Sequence, residues 1–154
     1  MREILFRGKR RCNGEWVYGN LVVDKNYNPH IVPKDYFYED GHHLQYCDDT
    51  DRPVFIDAET IGQFTGLTDK NGTKIFEGDI VQFGDNTKCE VKWGEYSHSK
   101  CDEYECEHYG WYVAHKRRNY VENTGYDLWD VASYITVIGN VHDNPELIGG
   151  ADNG

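Results

Sequence analysis

Thr60-Ile61-Gly62-Gln63-Phe64-Thr65-Gly66-Leu67-Thr68-Asp69-Lys70-Asn71-Gly72-Thr73-Lys74-Ile75-Phe76-Glu77-Gly78-Asp79-Ile80-Val81 reads as three extended segments joined by two tight turns. Asn71-Gly72 is a strong hairpin signal, because both residues tolerate positive φ. Gly78-Asp79 marks the second turn, and Ile80-Val81-Gln82-Phe83 resumes an extended apolar run. An Asp in such a turn bonds to nearby backbone, so Asp79 is assigned a structural role. The stretch holds no nucleophile paired with a base and no phosphate loop. It dictates a fold and leaves the function to be found elsewhere.

Outward from this centre the same rhythm continues. Glu3 to Arg7 predicts a first strand, Lys9 to Gly14 a polar turn, and Glu15 to Val23 its partner strand. From Asp24 to Pro53 no period persists, and Pro29, Pro33 and Pro53 punctuate the chain, so an irregular insert is expected. After a turn at Gly84-Asp85-Asn86, Lys88 to Trp93 alternates, with Cys89, Val91 and Trp93 on one face and Glu90 and Lys92 on the other. Residues 94–108 read as a polar, acidic excursion, Trp111 to His115 as a strand and Asn119 to Gly125 as a loop. Leu128 to Ser133 is ambiguous. Ile135 to Val141 is the last strand, followed by a turn at Asn144-Pro145-Glu146-Leu147. Thr60-Ile61-Gly62-Gln63-Phe64 echoes Val137-Ile138-Gly139-Asn140-Val141, which suits closure of a small barrel.

A chain of 154 residues is about one domain and buries enough surface for a core without staples. Aromatic residues at 14%, 12 of them Tyr and 4 Trp, with 16 Gly, favour short strands and turns over helices. Mean hydropathy of −0.78 predicts half-exposed strands. Net charge is −11, from 27 acidic and 16 basic residues, which disfavours nucleic acid and anionic membrane as partners. Five Cys at irregular spacing, with no secretory signal at the N-terminus, predict reduced thiols and a cytoplasmic protein. No apolar run approaches the roughly 20 residues that span a bilayer.

Ile61 to Gly72, Ile75 to Val81, Val137 to Val141 and Asn144 to Leu147 together resemble the YopX family, and Arg2-Glu3-Ile4-Leu5-Phe6-Arg7 is similar to that family's start. Residues 24–53 and 94–125 carry none of the likeness. The resemblance implies a phage or prophage protein with no established activity and no catalytic residues to carry over. It also implies an SH3-type barrel and assembly into trimers. The expected architecture is therefore mostly β: an N-terminal hairpin and irregular insert over 1–57, an SH3-like barrel over 58–148, and a disordered tail over 149–154.

Three constellations bear on chemistry. His98, Cys101, Cys106 and His108 could supply four zinc ligands, but their spacing (His-x2-Cys, Cys-x4-Cys, Cys-x-His) lacks the Cys-x2-Cys knuckle. The flanking carboxylates would raise the thiol pKa values. No metal and no cofactor are expected; should an ion bind, these four are its ligands. Arg7, Lys9, Arg10 and Arg11, with Lys116, Arg117 and Arg118, hold seven of the sixteen basic residues and define an alternative as a nucleic-acid-binding protein. His42, His43 and Cys47 read as surface loop. With no triad spacing, Gly-x-Ser-x-Gly or P-loop, the first reading is a non-enzymatic module that binds an unidentified protein partner, since Tyr and Trp anchor interfaces.

Overall fold

The computed structural model describes residues 3–33, 55–98, 107–114 and 124–149, with only the backbone of His98. Two compact units divide the chain, residues 1–64 and 65–154.

The first unit holds β1 (Phe6–Lys9), β2 (Trp16–Val23), β3 (Pro29–Val32) and the start of β4 (Gly62–Thr68). Their order is β3-β2-β1-β4, with every described pairing antiparallel. β1 and β2 form the expected hairpin, Lys9 opposite Trp16 and Arg7 opposite Tyr18. Gly14, at φ 73, supplies its turn. The insert expected from Asp24 on is in part a strand: β3 pairs along β2, with Leu21 opposite Ile31 and Val22 opposite His30. Pro29 masks this in the sequence, but it sits at the first position of the strand, where proline is tolerated. Asp24 organises the intervening turn, accepting the Asn26 and Asn28 N–H groups at 2.8 and 2.9 Å. Bonds from Asn28, chiefly its N–H, hold the carboxyl at about 2. The rest of the insert, including His42, His43 and Cys47, lies outside the described residues.

Val17, Ile31 and Ile56 form the core of this unit, with Phe6, Leu21 and Ile61 packed against them. A 3-10 turn, Ala58–Thr60, is fixed through Thr60, whose Oγ1 accepts the Lys9 N–H at 2.8 Å.

The second unit continues β4 from Thr65 and adds β5 (Lys74–Phe76), β6 (Asp79–Gln82), β7 (Lys88–His98), β8 (Glu107–Ala114), β9 (Thr124–Asp127) and β10 (Thr136–Asn140). The strand-turn-strand-turn-strand reading of residues 60–81 matches β4, β5 and β6. Asp69 caps the first turn, its Oδ1 accepting the Asn71 and Thr73 N–H groups at 2.8 and 2.9 Å. Its Oδ2 accepts the Val137 N–H at 2.9 Å, which ties the turn to β10. Asp79, 1% exposed, accepts the Phe76 N–H at 2.8 Å across the second turn. Its role there is structural.

A second five-stranded sheet runs β10-β6-β7-β8-β9, with an additional, parallel pairing of β7 to β9. No closed barrel is found among the described strands. Of the strands that hold the two echoing segments, β4 pairs with β1 and neighbours β5, and β10 pairs with β6. Of the acidic excursion expected at 94–108, residues 94–98 belong instead to β7 and residues 107–108 to β8, and the rest lies outside the described residues. The end of the expected loop at 119–125 is a strand, β9. Leu128–Val131 forms α1, followed by a 3-10 turn, Ala132–Tyr134, and Glu146–Gly149 forms α2.

Leu128, Ala132 and Ile135 cover Ile75, Val81, Cys89, Val91 and Val113 to make the core of this unit. Cys89 is buried among them, and burial, aided by the Asp85 charge, pushes its thiol up to about 11. Cys12 is exposed. At pH 8 a thiol reagent should therefore label Cys12 within minutes and leave Cys89 unmodified until the protein is unfolded. Peptide mass mapping before and after denaturant checks this; fast labelling of native Cys89 would show that the core is open.

Candidate interaction face on the β7–β8 hairpin

The β7–β8 ladder places Trp93 opposite Trp111, Glu95 opposite Tyr109 and Ser97 opposite Glu107. Opposed residues share a face, so these six lie on the side that also carries Val91 and Val113. Val91 and Val113 are fully buried, and Trp111 packs at the margin of the core. Trp93 is 48% exposed and Tyr109 74% exposed. The core face thus continues outward as an uncovered aromatic cluster. Trp93 contacts Trp111 at 4.9 Å between ring centroids and meets Tyr109 edge-on at 5.6 Å and 83°. Such edge contacts hold the rings in fixed relative orientation. The Trp111 ring N–H is buried and has no acceptor among the described residues.

The opposite face is folded on itself. Tyr96 lies opposite His108 and Tyr112 opposite Lys92, so the two tyrosines are four residues apart along the ladder, from 108 to 112. A flat ladder would separate them by about 13 Å. Their rings instead stack at 4.5 Å and 11°. The ladder bends between them, at the opposed pair Gly94 and Gly110, with Gly94 at φ 144. The bend carries Ser97 and His98 onto Thr124 and Gly125 of β9. Inside the bend the Tyr96 hydroxyl donates to Asp127, and His108 Nδ1 lies 3.5 Å from the same carboxylate. Burial, with the Asp130 charge adding to it, pushes the Asp127 carboxyl up. Burial likewise raises the Tyr112 hydroxyl, against the pull of Lys92.

Of the four residues named as ligands should an ion bind, His98 ends β7 and His108 lies in β8 beside Asp127, while Cys101 and Cys106 fall outside the described residues. Among the described residues no cluster of three metal-ligating side chains occurs. Of the basic residues, Arg7 and Lys9 meet at Trp16, with the Arg7 Cζ 4.8 Å and the Lys9 Nζ 5.4 Å from its ring centroid. Arg7 is only 6% exposed. Arg10 and Arg11 belong to the β1–β2 turn, where the Arg11 N–H bonds the Phe55 carbonyl at 2.9 Å. Lys116, Arg117 and Arg118 lie outside the described residues. The aromatic face of the hairpin was not singled out by sequence reasoning. Its signal is the odd-numbered series 93, 95, 97, which continues the alternation begun at Cys89, and the mirrored series 111, 109, 107.

These features define a mostly β protein of two sheet-bearing units whose longest hairpin projects an aromatic face past its core. The chain belongs to the YopX family: the family's model, described as YopX protein, matches residues 5–149. Among solved structures it is similar to the crystal structure of protein EF1440 from Enterococcus faecalis. The two share 19% identity at a TM-score of 0.55, over 96% of this chain and 99% of that one. At that identity the likeness is one of fold. No curated protein matches the chain. Among the described residues no helix is long and apolar enough to cross a membrane.

Proposed function

We propose that the protein is a phage or prophage accessory protein acting in the bacterial cytoplasm as a non-enzymatic protein-interaction module, and that it engages its partner through the Trp93–Tyr109–Trp111 face. The observation that carries this reading is the continuation of a buried strand face into a cluster of exposed aromatics. Large aromatic side chains dominate binding energy at interfaces. Their presentation on a paired β-hairpin reduces the ordering cost of binding. The SH3-type barrel implied by the family is part of the same reading, supported by the curl that gives β7 its second partner, β9.

The test compares capture from host lysate by the wild-type chain and by Trp93→Ser/Tyr109→Ser. Truncating two interface aromatics should reduce recovery of the specific partner by at least about tenfold. Equal capture by both would remove the face from the proposal.

A second reading, nucleic-acid binding, is favoured by one observation: the Lys9 Nζ lies 5.4 Å from the centroid of the half-buried Trp16 ring, a stacking platform with adjacent positive charge. It requires binding to single- or double-stranded DNA or RNA at low salt that weakens steeply as salt is added.

A further inference from the structure

The aromatic face of the hairpin has a one-sided charge. Besides Trp93, Tyr109 and Trp111 it carries Glu95, opposite Tyr109, and Glu107, opposite Ser97. Both glutamates are exposed. Among the described residues neither has an ion-pair partner. The two lysines of β7, Lys88 and Lys92, fall on the other face by register, opposite Gln82 and Tyr112. Lys92 there pairs with Glu90 at 3.4 Å. On the described parts of β7 and β8 the aromatic face therefore holds carboxylates and π-faces, and no cation.

That composition selects a class of partner. An aromatic ring attracts a cation over its face, and a neighbouring carboxylate adds a charge-assisted hydrogen bond to the same group. Guanidinium suits both, because it is planar, stacks on rings and presents several donors to a carboxylate. A neutral apolar partner would leave Glu95 and Glu107 to be desolvated without compensation, which is unfavourable. Nucleic acid would meet two negative charges at the face.

We infer that this face docks an arginine-bearing basic segment of a partner protein. The guanidinium packs against Trp93 and Tyr109, and Glu95 and Glu107 neutralise the segment's charge. The inference rests on the interaction reading above and adds to it the chemistry of what is bound.

The probe is a fluorescently labelled peptide of alternating arginine and glycine, with matched peptides carrying lysine or neutral citrulline. Fluorescence anisotropy with the full chain should show binding of the arginine peptide, weaker binding of the lysine peptide, and none of the citrulline peptide. Trp93→Ser should weaken binding about fivefold or more, the range expected for losing a cation–π contact. Glu95→Gln/Glu107→Gln should weaken it about threefold or more while leaving side-chain volume, and hence the fold, unchanged. Glu59→Gln/Glu146→Gln removes the same charge from exposed sites outside the two strands and should leave binding within about twofold.

Equal weakening by both glutamine pairs would overturn the inference, because it would reduce the effect to net charge. So would citrulline binding as well as arginine. So would a change from oligomer to monomer in the Trp93→Ser and Glu95→Gln/Glu107→Gln variants, which would make a second copy the occupant. Failure of the peptide to bind, while partner capture still depends on Trp93 and Tyr109, would overturn the basic-segment chemistry and leave the interaction reading standing. Loss of both would sink the two together.

Discussion

Asp69→Ala should be among the most destabilising single changes in the chain. Asp69 is 5% exposed, and its two oxygens accept three backbone N–H groups, from Asn71, Thr73 and Val137. Alanine leaves all three without that acceptor, at about 1 kcal/mol or more each, for a total on the order of 3 kcal/mol. In a chain of this size that lowers the thermal midpoint by roughly 6–12 °C. Asp69→Asn, with one carbonyl in place of two carboxylate oxygens, should fall between alanine and wild type. Burial raises the Asp69 carboxyl, but the backbone bonds outweigh it and hold the group below its ordinary value. A depressed carboxyl stabilises the fold fully above its unfolded value of about 3.9 and loses that contribution as pH falls through the lower folded value. The gap between wild type and Asp69→Ala should therefore be widest near neutral pH and narrow on acidification below about pH 4. Thermal denaturation across pH 3–7 measures it; a gap that stays constant to pH 3 would mean that the charge contributes nothing.

Gly125→Ala should be comparably damaging, for a steric reason. A Cβ at Gly125 would stand 2.5 Å from the Val113 carbonyl oxygen and 2.7 Å from Tyr112 Cδ2. The oxygen belongs to the backbone of β8, so it cannot swing aside. Relief requires β9 to move off the ladder at the point where Gly125 pairs with both Ala114 and His98. Overpacking of this kind costs on the order of 2–3 kcal/mol. The folded-over half of the hairpin should loosen with it, lowering the near-ultraviolet circular dichroism contributed by the stacked Tyr96 and Tyr112. Gly110→Ala is the control: nothing lies within 4 Å of its added Cβ, and it should shift stability by less than about 0.5 kcal/mol. Equal effects at the two glycines would contradict the close crossing of β9 over β8.

The parts of this fold that were legible in the sequence are those specified by neighbours. Asn71-Gly72 and Gly78-Asp79 announced β4, β5 and β6, because turn chemistry is local. The alternation from Cys89 to Trp93 announced the start of β7. What stayed hidden depends on contacts between distant residues. Thr124-Gly125-Tyr126-Asp127 is too short and glycine-containing to read as a strand, and it becomes one by pairing with β8 and β7. Pro29 disguised β3. In residues 94–98 the glycine and the charges read as a loop, although Glu95 and Ser97 continue the alternation of Trp93.

The candidate face was hidden for a related reason. Trp93 and Trp111 are eighteen positions apart, and the ladder register alone makes them neighbours. The abundance of Tyr and Trp suggested an interface without saying where. The His and Cys residues of 98–108 and the basic clusters were the conspicuous features. In the structure His108 turns to Asp127, and Arg7 and Lys9 meet Trp16.

The face is tested most directly through the four tryptophans, which lie on different elements: Trp16 beside Arg7 and Lys9 on β2, Trp93 and Trp111 on the hairpin, and Trp129, 78% exposed, on α1. Their indole N–H signals can be followed by proton–nitrogen NMR while the captured partner protein is added. The expected result is movement of the Trp93 and Trp111 signals, with Trp16 and Trp129 unchanged. Movement of Trp16 with Trp93 and Trp111 unmoved would contradict the proposal and place binding beside Trp16 and Lys9.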